Sequence, residues 1–225
     1  MSRYDVATGI EGESEPGSRG RVLRNLLGIT SKRAMDQAEA DALLKAQKRY
    51  VSLVTPGTQF TAAVLCTMHR DWLGHIYPWA GHYRTVEMSK GNFVWPPAFL
   101  VEQNMARFER EFLVSFTPCS HGAIEDVAMR LAKVQAEFLL VHPFREGNGR
   151  MSRWVTNLMA LQAGFPEPDY GFTKRGKSRQ DRAYLAAVIA GYGQNYEPLG
   201  RFLAEALRRG LRAEGTSLMF RAPSK

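Results

Sequence analysis

The sequence contains little cysteine and no long hydrophobic run, and both absences narrow the class of protein. Its only cysteines are Cys66 and Cys119, and neither has a Cys-x-x-Cys partner. A disulfide framework is therefore not expected, and a reducing cytoplasm fits. No stretch approaches the roughly 20 apolar residues that span a bilayer, and the first residues lack an apolar signal segment. We predict a cytoplasmic protein with no membrane partner, and delivery into another cell by a different signal stays open.

The positive charge of the chain is not accompanied by a nucleic-acid-binding motif. Thirty basic residues stand against 22 acidic ones, which gives a net charge of +8. The sequence has no RNP-type aromatic motif, no zinc finger and no basic helix with heptads. A basic soluble surface explains the charge most simply, and a site for a polyanionic ligand such as a nucleotide is the next explanation. We predict no specific nucleic-acid partner.

Hydrophobic residues are plentiful, at 44% of the 225 positions, and most of them repeat with helical spacing. The spacing predicts helices over 32–53, 58–75, 122–140, 149–163, 179–191 and 197–211, and another that opens at Pro96-Pro97 and buries Val101, Met105, Phe108 and Phe112. Thr58 is the expected N-cap of the second helix. Alternation around the Lys90-Gly91-Asn92 turn predicts a short β-hairpin within 84–95. The fold class is therefore all-α, with one hairpin.

The composition also predicts the domain organisation. Residues 1–20 are rich in Gly, Ser and Glu and are expected to form a flexible N-terminal arm. One folded domain over 21–211 and a C-terminal tail over 212–225 account for the rest, since 225 residues suit a single domain.

The loop between the two clearest helices, HPFREGNGRMSR at 142–153, concentrates residues that suit a phosphate-rich ligand. Gly147 and Gly149 flank Asn148 where a helix begins, and glycines let the backbone approach a ligand closely. The N–H groups and the dipole of a helix N-terminus favour an anion at this point. Arg150 and Arg153 are three residues apart, share a helix face and can donate to phosphate oxygens.

Two further side chains of the same loop have chemical roles to offer. Glu146 supplies one carboxylate, and Mg²⁺ is commonly bound by one or two carboxylates together with phosphate oxygens. His142 is placed at the mouth of the site with a pKa near neutrality, and it can take a proton from a hydroxyl. Taken singly, these residues could be a plain turn, a helix cap or a solvated face. Their combination in a dozen residues favours a phosphate-rich ligand.

This loop resembles the signature of the Fic family, H-P-F-x-[D/E]-G-N-G-R-x-x-R, at every defined position. Three other segments also resemble that family: VLRNLLGIT at 22–30, LGHIYPWAGHYRTV at 73–86 and AYLAAVIAGYGQNYEPLGRFL at 183–203. The resemblance covers roughly residues 20–211. It implies a compact Fic-type helical bundle, a β-hairpin flap over the active site, and transfer of AMP from Mg-ATP to a Ser, Thr or Tyr hydroxyl of a target protein.

Carried over by position, the resemblance assigns a role to each site residue. His142 would be the general base, Glu146 the Mg²⁺ ligand and Phe144 the anchor of the loop. The flap at 84–95 would dock the target by strand addition. The anion hole would consist of Gly147, Asn148 and Gly149, the distal phosphates would be held by Arg150 and Arg153, and the adenine pocket would be lined by Tyr184 and Tyr192. Core packing is the alternative role of the two tyrosines.

Differences among members of the family indicate which group this chain would transfer and how it would be regulated. Doc-type kinases of the family carry lysine at the position of Gly149, so glycine here favours AMP transfer over phosphoryl transfer. Many Fic proteins carry an inhibitory [S/T]-x-x-x-E-[G/N] helix, which this sequence lacks. Either a separate antitoxin protein supplies that helix, which would make this chain the toxin of a pair, or regulation differs. Transfer of another nucleotide or a phosphoryl group, removal of AMP, and a non-catalytic module remain alternatives, although a binding module would need no His142 base.

Overall fold

The structure is a computed structural model that describes residues 5–6, 10–172 and 178–221, with side chains for residues 11–172 and 178–213. Contacts divide the chain into two units. The first comprises Met1–Leu53, Phe60–Glu111 and Phe138–Met151, and the second comprises Val54–Gln59, Phe112–Glu137 and Ser152–Lys225. None of the helices within the described ranges has both the length and the apolar character needed to cross a membrane.

The first unit contains three helices, α1 (Lys32–Leu53), α2 (Ala62–Leu73) and α3 (Val101–Phe108). The predicted helix over 32–53 is confirmed, and α1 packs against α2. The predicted cap of the second helix was wrong. The Thr61 side chain accepts from the Val64 N–H and caps α2, whereas the Thr58 hydroxyl accepts from the Thr55 N–H in the preceding turn. Thr58 and Thr61 can both act as an N-cap, and Thr61, which directly precedes the apolar helix, is the one that does.

A small antiparallel sheet lies in the first unit and contains the predicted hairpin. Its strands are β1 (Asp5–Val6), β2 (Met88–Lys90) and β3 (Phe93–Val94), in the order β1-β2-β3. The hairpin is confirmed, whereas β1, which pairs with β2, was not predicted. Met88 and Trp95 are buried together, and Phe93 packs against them. The hairpin therefore has one apolar face, which fixes its register.

Residues 10–20, which the sequence assigns to a flexible arm, make defined contacts in the first unit. A 3-10 turn spans Ile10–Gly12, and the Glu15 N–H donates to the Val22 carbonyl at 2.8 Å. The Glu11 carboxylate accepts from the Thr85 N–H at 3.1 Å. This segment therefore contacts the chain just before the first strand of the hairpin. The domain limits inferred from composition stay predictions.

The second unit contains α4 (Val114–Phe116), α7 (Arg179–Tyr192), α8 (Glu197–Arg221) and most of α5 (Ile124–Val141) and α6 (Asn148–Gln162). α7 packs against α8 and begins with a capping box between Ser178 and Asp181. α8 extends well beyond the predicted end at residue 211, into the predicted tail. Residues 222–225 of that tail lie outside the described residues.

One predicted core position was wrong for a local reason. A π-helical turn, Glu109–Leu113, interrupts the helix after α3. Such a turn adds one residue and rotates the following side chains around the helix axis. Leu113 is consequently fully buried, whereas Phe112, expected on the buried face, is only half-buried.

Candidate active site

The loop between α5 and α6 is closed by its own side chains. Phe144 is fully buried and stacks on the His69 ring, with the ring centroids 3.9 Å apart and an angle of 8° between the planes. The Asn148 amide bridges the loop, since its Oδ1 accepts from the Phe144 N–H at 2.9 Å and its Nδ2 donates to the Phe144 carbonyl at 2.6 Å. Phe144 therefore anchors the loop, as the resemblance implies, and the Asn148 side chain holds its shape.

Gly147 occupies the turn that leads into α6. Its φ is +87°, and a Cβ atom built there would lie 2.8 Å from the Trp72 ring. The first helical hydrogen bond of α6 runs from the Met151 N–H to the Gly147 carbonyl at 2.8 Å. The amides of residues 148–150 thus precede that hydrogen-bond ladder, which is the arrangement of an anion-binding helix N-terminus.

Replacement of Gly147 by alanine should lower stability by about 1–3 kcal/mol, because it combines a strained φ with overlap against Trp72. Gly91 provides the matched control, since its φ is +58° and a Cβ there would meet nothing within 4 Å. Thermal or urea unfolding of the two variants measures the difference. Gly147→Ala should be clearly less stable than Gly91→Ala, and equal losses would show that contact with Trp72 does not shape the loop.

His142 is buried beneath the end of the flap, with only 4% of its surface exposed. Its expected place at the mouth of the site was therefore wrong. The Trp95 ring lies with its centroid 4.0 Å from that of the imidazole and covers it. His142 Nδ1 lies 3.2 Å from the Leu139 carbonyl, which accepts from Trp95 Nε1 as well. A carbonyl can only accept, so Nδ1 carries the proton and Nε2 carries the lone pair.

Burial, opposed by the hydrogen bond to Leu139 and reinforced by the nearby charges of Arg84 and Lys90, lowers the pKa of His142 to about 3. The expectation of a pKa near neutrality was wrong, because the flap removes the ring from solvent. The imidazole is consequently neutral throughout the physiological pH range. A neutral ring with a lone pair on Nε2 is the form in which histidine accepts a proton.

A buried arginine that the sequence did not single out joins the loop to the flap. Arg84 Nε donates to the His142 carbonyl at 2.8 Å, and its two terminal nitrogens donate to the Val86 and Pro96 carbonyls at 2.9 and 2.6 Å. The Arg84 N–H donates to the Pro143 carbonyl at 2.8 Å. One guanidinium therefore connects both ends of the hairpin to the residue expected to act as base.

Glu146 and Arg150 belong to a charged cluster that includes Glu39 of α1. Glu146 Oε1 accepts from the Gly147 N–H at 3.1 Å and from Arg150 Nη2 at 3.3 Å. Arg150 Nη1 donates to Glu39 Oε2 at 2.7 Å, and the guanidinium carbon lies 4.7 Å from the centroid of the Trp72 ring. The buried Nε of Arg150 has no acceptor among the described residues.

The side chains of this cluster suit a nucleotide with a bound metal ion, since they offer one carboxylate and one unsatisfied N–H donor. Within the described part of the chain no three His, Cys, Asp or Glu side chains converge in a way that could hold a metal ion. A single carboxylate at Glu146 suits Mg²⁺ that takes its other ligands from phosphate and water. The unsatisfied Nε donor of Arg150 is matched by a phosphate oxygen, which arginine binds readily.

His69 on α2 holds the loop through a hydrogen bond to its backbone and through its stack with Phe144. The Gly81 N–H donates to His69 Nδ1 at 2.9 Å, so Nε2 carries the proton and donates to the Glu146 carbonyl at 3.1 Å. Burial lowers the pKa of His69 to about 3, which keeps this tautomer neutral. His69 therefore fixes the backbone of the carboxylate-bearing residue.

The remaining predicted site residues lie in the second unit. The Arg153 guanidinium lies 5.5 Å from the centroid of the Phe172 ring. Tyr184 is buried, and its ring centroid is 5–6 Å from those of three other aromatic residues, namely Tyr170 (5.9 Å), Phe172 (5.2 Å) and Phe202 (5.5 Å). Tyr192 is half-buried at the end of α7. The surroundings of Tyr184 are those of a core side chain, and the adenine contacts of both tyrosines stay predictions.

Comparison with known proteins shows a similarity to one family. Residues 59–160, which include α2, the hairpin, α5, the loop and most of α6, match the model of the Fic/DOC family. The matched segment is somewhat less than half of the chain and contains the candidate site loop.

Two curated proteins are similar to this chain in sequence. The chain is 29% identical over 208 residues to "Protein adenylyltransferase Fic" of Nematostella vectensis. The matched region covers 91% of this chain and 46% of that protein. The protein of the same name from Culex quinquefasciatus is 25% identical over 209 residues, at 91% and 39% coverage. The chain thus spans less than half the length of these relatives.

Two solved structures have the same helical fold. BepC, a VirB-translocated effector protein of Bartonella tribocorum with bound AMPPNP, superposes with a TM-score of 0.67 at 20% identity, over 82% of this chain and 91% of that one. The N-terminal Fic domain of a VirB-translocated Bep effector of Bartonella quintana with bound ADP gives a TM-score of 0.66 at 22% identity, over 82% and 89%. The predicted fold class, a helical bundle with a short hairpin, is confirmed.

Three residues that shape the candidate site were missed from the sequence. His69 carried a usable signal, since it is a histidine within an apolar helical run. Glu39 and Arg84 carried none, because a charged residue at an ordinary position gives no sign that it will be buried. Only the packing of α1 and of the flap against the loop reveals their roles.

Proposed function

We propose that this protein is an adenylyltransferase that moves AMP from Mg-ATP onto a Ser, Thr or Tyr hydroxyl of a target protein. The observation that carries the proposal is a neutral, buried His142 in the same loop as the Glu146 carboxylate and the Gly-Asn-Gly turn. A base, a metal-binding carboxylate and an anion-binding helix N-terminus are the parts that phosphoryl chemistry needs. The relatives named protein adenylyltransferase support the choice of AMP as the transferred group.

In the proposed step, the hydroxyl oxygen of the target bonds to the α-phosphorus of ATP. The bond from that phosphorus to the bridging oxygen of the β-phosphate breaks, and pyrophosphate leaves. His142 Nε2 accepts the hydroxyl proton as the new bond forms. The negative charge of a bound triphosphate raises the pKa of the imidazole above its value in the free protein, which strengthens the base when the substrate is present.

Other residues of this chain hold the nucleotide in the proposal. Glu146 would hold Mg²⁺, which when bound neutralises charge on the phosphate oxygens. The amides of Gly147, Asn148 and Gly149 would line the anion hole. Arg150 would add its Nε donor, and Arg153 would reach the distal phosphates. Gly149 in place of the lysine of kinase-like family members favours attack at the α-phosphate.

The partners belong to the same proposal. A target segment would dock in extended form against the flap at 84–95, where the backbone of a strand edge can pair with it. A separate antitoxin protein, with this chain as the toxin of the pair, belongs to the same proposal, and regulation of a different kind is its alternative. The cytoplasm is the proposed location, in agreement with two free cysteines, Cys66 and Cys119.

Label from ATP should pass to protein when the α-phosphate is labelled and should not pass when the γ-phosphate is labelled. The reason is that attack at the α-phosphorus releases the β- and γ-phosphates as pyrophosphate. Incubation of the purified chain with each labelled ATP and a lysate of the source cell, followed by gel autoradiography, measures this. Transfer from γ-labelled ATP alone would make the protein kinase-like, and removal of label from pre-modified protein would make it a de-adenylylating enzyme.

A further inference from the structure

Glu39 lies on α1, more than 100 residues before the loop, yet its side chain is closer to the Arg150 guanidinium than Glu146 is. Its Oε2 accepts from Arg150 at 2.7 Å, and its Oε1 accepts from the Tyr77 hydroxyl at 2.6 Å. Its backbone carbonyl accepts from Trp72 Nε1 at 2.9 Å. The carboxylate is therefore held by two side chains, the backbone of the residue is held by a third, and Glu39 is almost wholly buried.

Two carboxylates share the single guanidinium of Arg150, and they do so unequally. The distance from Arg150 to Glu39 is 2.7 Å, whereas the distance to Glu146 is 3.3 Å. Arg150 is thus bound more closely by Glu39 than by Glu146, which leaves the Glu146 carboxylate the more weakly paired of the two. A cavity of about 70 Å³ borders all three side chains and gives the guanidinium room to turn.

We propose that Glu39 is a positioning residue, which draws Arg150 toward itself, limits the pairing of Arg150 with Glu146 and thereby keeps the Glu146 carboxylate competent to bind the divalent cation of the nucleotide. The inference rests on the metal role of Glu146 in the proposed function. Without the charge of Glu39, Arg150 would pair fully with Glu146 and compete with the metal for its oxygens. Substitution of groups that orient a metal ligand typically costs roughly 10–100-fold in metal affinity.

The test measures binding rather than catalysis. Glu39→Gln keeps an oxygen for the Tyr77 hydroxyl and leaves the backbone bond to Trp72 intact, so it removes mainly the charge. Calorimetry with a non-hydrolysable ATP analogue over a series of Mg²⁺ concentrations gives the Mg²⁺ midpoint of nucleotide binding. Glu39→Gln should raise that midpoint roughly 10–100-fold, while binding in the absence of Mg²⁺ is not weakened.

Tyr77→Phe is the matched control, since it removes the hydroxyl bond to Glu39 and leaves every charge in place. Its midpoint should stay near that of the wild type. An unchanged midpoint in folded Glu39→Gln, or an equal rise in Tyr77→Phe, would overturn the proposal and leave Glu39 a purely structural residue. A wild-type chain whose nucleotide binding does not depend on Mg²⁺ would overturn it too.

Glu39→Asp keeps the proposal testable if Glu39→Gln does not fold. The side chain is one methylene shorter, so its carboxylate recedes from Arg150, and the Mg²⁺ midpoint should rise, though less than the rise expected for Glu39→Gln. An unchanged midpoint in folded Glu39→Asp would contradict the role assigned to Glu39. Because every readout is nucleotide binding, a failure of AMP transfer in the labelling experiment would be a separate result.

Discussion

His142→Ala should lower the rate of AMP transfer by about 10²–10⁴-fold, the usual effect of losing a general base. The ATP site is assigned mainly to the backbone and arginines after Glu146, none of which His142 supplies. Affinity for ATP should therefore remain within a few-fold of the wild type. Parallel measurement of transfer with labelled ATP and of ATP binding by calorimetry separates the two effects.

The burial of His142 adds a stability effect that an exposed histidine would not have. The ring fills space beneath Trp95 and donates to the Leu139 carbonyl, so its loss should cost about 1–3 kcal/mol of unfolding free energy. Met105→Ala, a large-to-small change at a fully buried site on α3, provides a control of similar or greater instability. Transfer should survive in Met105→Ala below its melting temperature. Comparable losses of transfer in both variants would contradict the catalytic role of His142.

Glu146→Gln should reduce Mg²⁺-dependent transfer by roughly 10²–10³-fold, because a bound metal ion contributes several kcal/mol of charge stabilisation in such sites. The amide can still accept from the Gly147 N–H, so the turn should keep its shape. Initial rates over a range of Mg²⁺ concentrations would show whether excess metal partly restores transfer, as expected for a weakened metal site.

Glu197→Gln makes the same charge change at an exposed position at the start of α8, where the carboxylate accepts from Arg201 Nη1 at 2.6 Å. Its rate should stay within a few-fold of the wild type at every Mg²⁺ concentration. If Glu146→Gln matched Glu197→Gln in rate and in Mg²⁺ dependence, Glu146 would have no role in holding the metal.

Most helices of the fold could be predicted because each has its own apolar periodicity. The helix over 32–53 is an example, since its ends coincide with the structure. The hairpin could be predicted from alternation and a turn signal. The strand at Asp5–Val6 could not, because two residues have no periodicity and their pairing depends on an edge that β2 provides. The π turn after α3 left no mark in the sequence either.

The sequence predicts which residues form the candidate site, but not the tertiary contacts that surround them. A dozen adjacent residues carry the base, the carboxylate and the glycine turn, so local sequence is sufficient to find them. The pKa of His142 depends instead on Trp95 and Arg84, which fold over it from the flap. The pairing of Arg150 with Glu39 joins residues 111 positions apart. Such contacts exist only after tertiary packing.

Mass spectrometry of the modified target tests the central claim most directly, because it weighs the transferred group and locates it. The target labelled in the lysate experiment would be isolated after incubation with the wild-type chain, ATP and Mg²⁺, then digested and sequenced. AMP transfer with His142 as the base should give a mass gain equal to one AMP on a Ser, Thr or Tyr side chain, and no such gain with His142→Ala. A gain equal to a phosphate group, a different nucleotide, or an AMP gain that persists undiminished in His142→Ala would contradict it.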